Sequence, residues 1–326
     1  MSLRKATFSA ADLRRAPAGG QSAPLGQRWQ QLPERGSTAA LALITWIATV
    51  VGRRAGRLLL YPIALYFLLT AHAARRGSRL FLRRVLPRPP GWRDGFRHFH
   101  CFSATILDRL FLLAGQLDRF AISVHNGEIV LDQIAAGRGC ILLGSHLGSF
   151  EMLRALGVIH RHFPLKVLMD VDHNPHITRF LNARNREIAE TIIPLRGPST
   201  LLEVKERLDE GYLIGMLGDR VLADGKAVRC RFLGGQAPIP TGPLLLAAAT
   251  GAPIILVFAL YRGDNRYDVH FEHLAAPADG RKRASAADIQ AMAQRYADRL
   301  EHYTRLAPDN WFNFYDFWGE DLRSTR

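Results

Sequence analysis

Acidic residues are nearly missing from the first third of this chain. Residues 1–100 hold 3 Asp and Glu against 17 Lys and Arg, whereas residues 101–326 hold 26 of each sign, so the entire formal charge of +14 lies at the front. A uniformly basic protein would suit nucleic acid. A neutral body behind an Arg-rich, apolar front argues against that partner and favours an anionic membrane surface. Cysteine is scarce as well: Cys101, Cys140 and Cys230 are odd in number, far apart and set among apolar neighbours. That pattern excludes a disulfide frame and a cysteine metal site, and it points to reduced thiols in a cytosol-facing protein. Long apolar runs are also wanting. Gly36 to Gly52 and Leu58 to Ala74 are uncharged for 17 residues each, short of the roughly 20 that a spanning helix needs. No apolar core follows the basic pair Arg4-Lys5, which excludes a secretory signal there.

What is present divides into three parts. Residues 1–35, rich in Ala, Gly, Gln, Pro and Arg without period, read as a mobile basic tail. Residues 36–86 read as a membrane-associated helical segment. Arginines flank each apolar run, including the cluster Arg53, Arg54 and Arg57, and either spanning topology would export some of them. Helices lying in the cytoplasmic leaflet fit better, with Leu59, Leu60, Tyr61, Phe67 and Leu68 immersed and Arg stems snorkelling. Arg75 to Leu86 continues the pattern with Leu80, Phe81 and Val85 among arginines. The alternative is an ordinary helical layer packed on the body. Pro87 to Gly91 marks a boundary, and residues 92–326 form the body, where 48% hydrophobic content across 326 residues allows a large core.

Within the body, apolar runs alternate with helical patterns. Cys140 to Leu143, Lys166 to Met169, Thr191 to Pro194, Tyr212 to Leu217 and Pro253 to Leu260 read as strands, with Tyr267 to Glu272 as an edge strand. Trp92 to Gly115, Ser199 to Glu210 and a helix capped by Ser285 and Asp288 lie between or after them. The fold class is α/β, a mixed sheet covered by helices.

The chemistry is placed where the first strand breaks, in Gly144-Ser-His-Leu-Gly-Ser-Phe-Glu151. The turn falls at a strand's carboxyl end, where α/β sheets put their ligands. His146 and Glu151 there form a candidate base and orienting carboxylate. The competing readings are a polar loop histidine and a first-turn Glu favoured by the helix dipole. The stretch contains neither G-x-S-x-G nor H-E-x-x-H, which excludes a nucleophile elbow or a zincin site at this turn. Asp170-Val-Asp172 with His173 and His176 supplies a weaker idea, the metal site of a glycosyltransferase.

The run Gly144 to Glu151 resembles the H-x4-D/E block of the glycerolipid acyltransferase superfamily, and its Glu resembles the lipid A lauroyl/myristoyl (HtrB-like) branch. Ser149-Phe150 stand where that branch commonly has Asn-Trp. Further blocks are similar in order: Arg184-Asn-Arg186, Ile193-Pro-Leu-Arg196, Gly215-Met-Leu-Gly-Asp219-Arg220, Phe232 to Pro243, and Gly251-Ala-Pro253. The resemblance implies a monotopic inner-membrane O-acyltransferase with a glycerolipid acyltransferase-like fold. It would move an acyl chain from an acyl carrier protein thioester to a lipid or glycolipid hydroxyl, without cofactor or metal. His146 would be the base and Glu151 its partner, with Arg186, Arg196, Asp219 and Arg220 on the substrate side. A metal-dependent glycosyltransferase using Asp170 and Asp172 is the alternative activity. On the membrane reading, removing residues 1–86 should release a more soluble domain that keeps His146 and Glu151.

Overall fold

The computed structural model describes residues 52–153, 155, 163–170, 190–195, 197–222, 225–275 and 284–319. The basic tail, the first apolar run up to residue 51, Asp172, His173, His176, Arg186 and Arg196 lie outside them. Seven strands make one mixed sheet: β1 (Ala121–His125), β2 (Cys140–Gly144), β3 (Leu165–Met169), β4 (Ile192–Pro194), β5 (Leu213–Leu217), β8 (Ile254–Tyr261) and β9 (Arg266–Ala275). Their order is β1-β9-β8-β2-β5-β3-β4. Among the described residues only the β8/β9 pair of this sheet is antiparallel; its other neighbours are parallel. β6 (Ala227–Phe232) and β7 (Gly235–Pro240) form a separate hairpin.

The central strands read as near-continuous apolar runs because both faces are covered. Every residue of β2 and β8 is buried. One face carries α7 (Ala286–Leu306) with α5 (Pro198–Asp209) and α6 (Gly242–Thr250), while the other carries α3 (Trp92–Leu113) and α4 (Glu128–Ala135). The Ser285/Asp288 capping box forms as the sequence indicates, Ser285 Oγ accepting from Asp288 N at 3.2 Å and Asp288 Oδ2 accepting from Ser285 N at 2.9 Å. All three cysteines are buried and free.

One strand reading needs correction. Tyr267 to Glu272 is not an edge strand: β9 lies between β1 and β8, and β1, with one side chain in five even partly covered, holds the edge. Pro238-Ile-Pro240 falls in the second strand of the hairpin.

The front helices are α1 (Arg53–Thr70) and α2 (His72–Val85), which meet at 95°. Among the described residues no single helix is long and apolar enough to cross a membrane, although this bent pair together meets the length and composition. Several side chains assigned to lipid are inside the protein. Leu60 and Leu68 are each 2% exposed, and Phe81, Leu82 and Val85 of α2 join the main core. The apolar face that α1 does leave open is Leu58, Tyr61, Leu65, Tyr66 and Leu69.

Two of the flanking arginines are equally misjudged as lipid contacts. Arg53 donates to both oxygens of the fully buried Asp108 at 2.8 and 3.0 Å. Arg57 reaches the Tyr261 hydroxyl and the Asp264 carbonyl, the latter at 2.6 Å. An unpaired carboxylate in that position would be costly, so α1 is pinned at its start. Its apolar period then lays Leu60, Ala64 and Leu68 onto α3 and the chain beside it.

Candidate active site

Strand register makes the site. Gly144, the last residue of β2, pairs with Leu217, the last of β5, and Gly218 N donates to the Gly144 carbonyl at 3.0 Å. Two residues beyond each strand end stand His146 and Asp219. They are therefore neighbours at the carboxyl edge of a parallel pair. Asp219 Oδ1 lies 2.8 Å from His146 Nδ1, and Asp219 Oδ2 accepts from His146 N at 3.1 Å. With Nδ1–H given to the carboxylate, Nε2 carries the lone pair. The His146 side chain keeps 29% of its exposure while Asp219 keeps 1%, so the ring is partly open and its partner is sealed.

The turn between them is fixed from two sides. Gly148 has φ +72°, and a Cβ there would sit 1.9 Å from the Ala259 carbonyl oxygen, so only glycine fits. Gly148 N donates to Asn310 O, Ser149 N to Ala259 O and Phe312 N to His146 O, each at 2.9 Å. The aromatic stretch after α7 thus runs antiparallel to the catalytic turn, bridging Leu147 to Trp311. Trp311 is 1% exposed, and its indole Nε1–H donates to Asp219 Oδ2 at 3.0 Å.

Electrostatics hold the pair as neutral imidazole and carboxylate. Burial pushes His146 below the ordinary histidine value, and the nearby Arg220 and Arg109 guanidinium groups add to that against the pull of Asp219. Burial alone would raise Asp219, but His146, Arg220 and the Trp311 N–H together hold it at about 2. A base must be unprotonated to work, and this one is near neutrality.

The carboxylate on His146 Nδ1 is that of Asp219, not Glu151. Glu151 opens the helix after the turn and its Oε1 lies 2.6 Å from Arg109 Nη2, a half-buried ion pair reaching to α3. Asp219, which the resemblance put on the substrate side, instead holds the His146 ring and backbone N–H. Spacing within one segment hid this, since 73 positions separate the two; the shared strand-end position was the available signal. Arg220 donates to the Phe312 carbonyl at 3.0 Å and lies over the Tyr315 ring, bracing the aromatic stretch beside His146. Asp170 follows β3 at the same edge and is partly buried.

Among the described residues one other cluster has metal-type donors. Ligand atoms of His125, Asp268 and His270 lie within 4.8 Å of one another. The two rings stack nearly parallel at 4.3 Å and Asp268 is taken by Arg262 Nε at 2.7 Å. Parallel imidazoles set their nitrogens alongside one another rather than toward a common centre, so the arrangement does not fit an ion.

A covered mixed sheet with a sealed carboxylate beside a partly open imidazole at its carboxyl edge is an arrangement able to take a proton from a bound hydroxyl. No nucleophilic serine or cysteine stands at the turn's strained position, which glycine occupies. The chain belongs to the bacterial lipid A biosynthesis acyltransferase family, whose pattern matches residues 112–319. It is an acyltransferase of lipid biosynthesis, which sets aside the glycosyltransferase alternative. Among characterised proteins it is similar to the phosphatidylinositol mannoside acyltransferase of Mycolicibacterium smegmatis, 26% identical over 280 residues, covering 78% of this chain and 84% of that one. The phosphatidylinositol mannoside acyltransferase of Mycobacterium tuberculosis is 27% identical over 278 residues, covering 78% and 80% respectively. These likenesses support the wider superfamily and do not single out the lauroyl/myristoyl branch.

Proposed function

We propose that this enzyme transfers an acyl chain from an acyl carrier protein thioester to a hydroxyl of a lipid or glycolipid, with His146 as general base. The observation that carries the reading is the His146 Nδ1–Asp219 contact at 2.8 Å, which leaves Nε2 as the ring's basic nitrogen on a side chain that is partly open. The acceptor hydroxyl gives its proton to Nε2 as its oxygen attacks the thioester carbonyl. The tetrahedral intermediate then collapses, the C–S bond breaks, and the departing sulfur takes the proton back from Nε2–H. Ester and free thiol are the products, and the thioester's own activation removes any need for an acyl-enzyme. The relatives that act on phosphatidylinositol mannoside favour a sugar hydroxyl on an anionic glycolipid over a simple lysophospholipid. Arg220 on the described edge, with Arg186 and Arg196, is assigned to its phosphate oxygens.

The test uses purified full-length enzyme with acyl carrier protein and coenzyme A thioesters of one chain length, offered phosphatidylinositol mannoside and lysophospholipid. Mass spectrometry should find a new ester only with His146 intact. A folded His146→Ala protein that still turns over at more than about one part in a thousand would defeat the base assignment.

We place the enzyme on the cytoplasmic face of the inner membrane. The reading is supported by the open face of α1 beside Arg76, Arg79 and Arg83, exposed at helical spacing along α2. Burying Leu65 and Leu69 in the interface contributes roughly 2 kcal/mol each. The double variant Leu65→Glu and Leu69→Glu, floated with vesicles rich in anionic lipid, should therefore leave most protein in the free fraction. Unchanged flotation would show that α1 is not the contact.

A further inference from the structure

We infer that Trp311 is a positioning residue for the catalytic base, and that it acts as one member of a buried hydrogen-bond chain running from the front helices to His146. The inference rests on the proposed role of His146. Its five members lie on five separated parts of the sequence. Ser78 of α2 contacts His98 Nδ1 at 2.8 Å, and His98 Nε2 contacts the Trp311 carbonyl at 2.9 Å. A carbonyl can only accept, so Nε2 carries the proton and Nδ1 accepts from the Ser78 hydroxyl. Trp311 then donates its indole N–H to Asp219 Oδ2 at 3.0 Å, and Asp219 Oδ1 holds His146 Nδ1 at 2.8 Å.

Every linking side chain is sealed: Ser78 1%, His98 0%, Trp311 1% and Asp219 1% exposed. Burial drives His98 down to about 4, so it stays neutral and keeps one tautomer across the working range. The indole itself is wedged by edge contacts from Phe81, Phe232 and Phe317 at ring separations of 4.9 to 5.0 Å. A donor held on three sides cannot follow the carboxylate if it rotates. It therefore fixes the torsion of Asp219, and with it the direction in which His146 Nε2 points.

The second effect is on charge. Asp219 Oδ2 accepts from both Trp311 Nε1 and the His146 backbone N–H. Each donor draws negative charge toward Oδ2 and away from the oxygen facing the imidazole. Losing the indole N–H should return that charge to His146 and stabilise its protonated form.

Trp311→Phe keeps an aromatic ring and removes only the donor. The expected result is a kcat lower by roughly ten- to a hundredfold, the scale of one hydrogen bond to a charged group, with KM within about twofold. The His146 ring signals, followed by NMR, should titrate at a higher pH. In an Asp219→Asn background the same substitution should add almost nothing, because the two residues act through one carboxylate. An equal proportional loss in both backgrounds, or a His146 titration that does not move, would reduce Trp311 to a packing residue. Should Trp311→Phe fail to fold, indole-labelled full-length protein decides. One of its five tryptophan N–H signals should shift with pH at the His146 midpoint and lose that dependence in Asp219→Asn, whereas five pH-independent signals would overturn the inference. An active His146→Ala enzyme would sink the underlying reading whatever Trp311→Phe does. An inactive His146→Ala beside a wild-type rate for Trp311→Phe sinks this inference alone.

Discussion

Asp219→Asn should lower kcat about ten-thousand-fold while the protein stays folded. The magnitude is that of amidating the orienting carboxylate in a serine-protease triad, where the imidazole is trapped in the wrong tautomer. An Asn here can turn its amide N–H toward His146 Nδ1, which then accepts, so the ring proton moves to Nε2 and the base is lost. The pH profile gives a second handle. His146 lies below its ordinary value, so wild-type activity should hold as pH falls to 6.5 and fail only at lower pH, when the imidazole protonates. Removing the Asp219 charge takes away what raises His146, so residual activity should persist to still lower pH. Glu151→Gln is the informative contrast. It breaks the 2.6 Å pair with Arg109 but leaves His146 held, and should cost only about tenfold. If Glu151→Gln were the crippling change and Asp219→Asn the mild one, the pairing drawn from the geometry would be wrong.

Deleting residues 1–86 should give an insoluble or uncooperative chain rather than the soluble enzyme that the charge pattern suggests. Phe81, Leu82 and Val85 are 0%, 1% and 5% exposed and pack with the residues of the main sheet. Each contributes about 1.5–3 kcal/mol by burial, and together they approach the whole margin of an ordinary domain. Gly77 is equally committed: a Cβ there would lie 2.3 Å from the backbone of Phe314 and Tyr315, so α2 touches the aromatic stretch with no side chain between. Cutting instead after residue 51 removes none of these contacts and should leave a folded enzyme. Solubility and thermal unfolding of the two truncations settle the matter; a cooperative, soluble 87–326 fragment would show that α2 is dispensable to the core.

The contrast shows where the sequence is legible. Strands β2, β3, β4, β5 and β8 follow from apolar runs because a strand covered on both faces needs no other code, and the Ser285/Asp288 cap is local chemistry. His146 follows from the glycine-flanked turn at a strand end. Its partner does not, because which carboxylate meets it depends on β2 lying beside β5, a non-local pairing that no spacing encodes. The same holds at the front. Arg53 and Arg57 look like solvated charges until Asp108, half a hundred residues later, is seen beneath them. β1 was invisible because an edge strand with exposed side chains carries no apolar signature.

The antiparallel bridge between the catalytic turn and the aromatic stretch also sets an order of assembly. His146 and Asp219 leave the ribosome well before Asn310, Trp311 and Phe312, which secure the turn's backbone at Gly148 and His146. At about 5–20 residues per second, the gap between residues 146 and 311 lasts on the order of ten seconds or more. Throughout that interval the nascent polypeptide holds His146 and Asp219 without the backbone partners that secure the turn. The turn can therefore take its aligned form only once residues 310–312 have been made and have joined it.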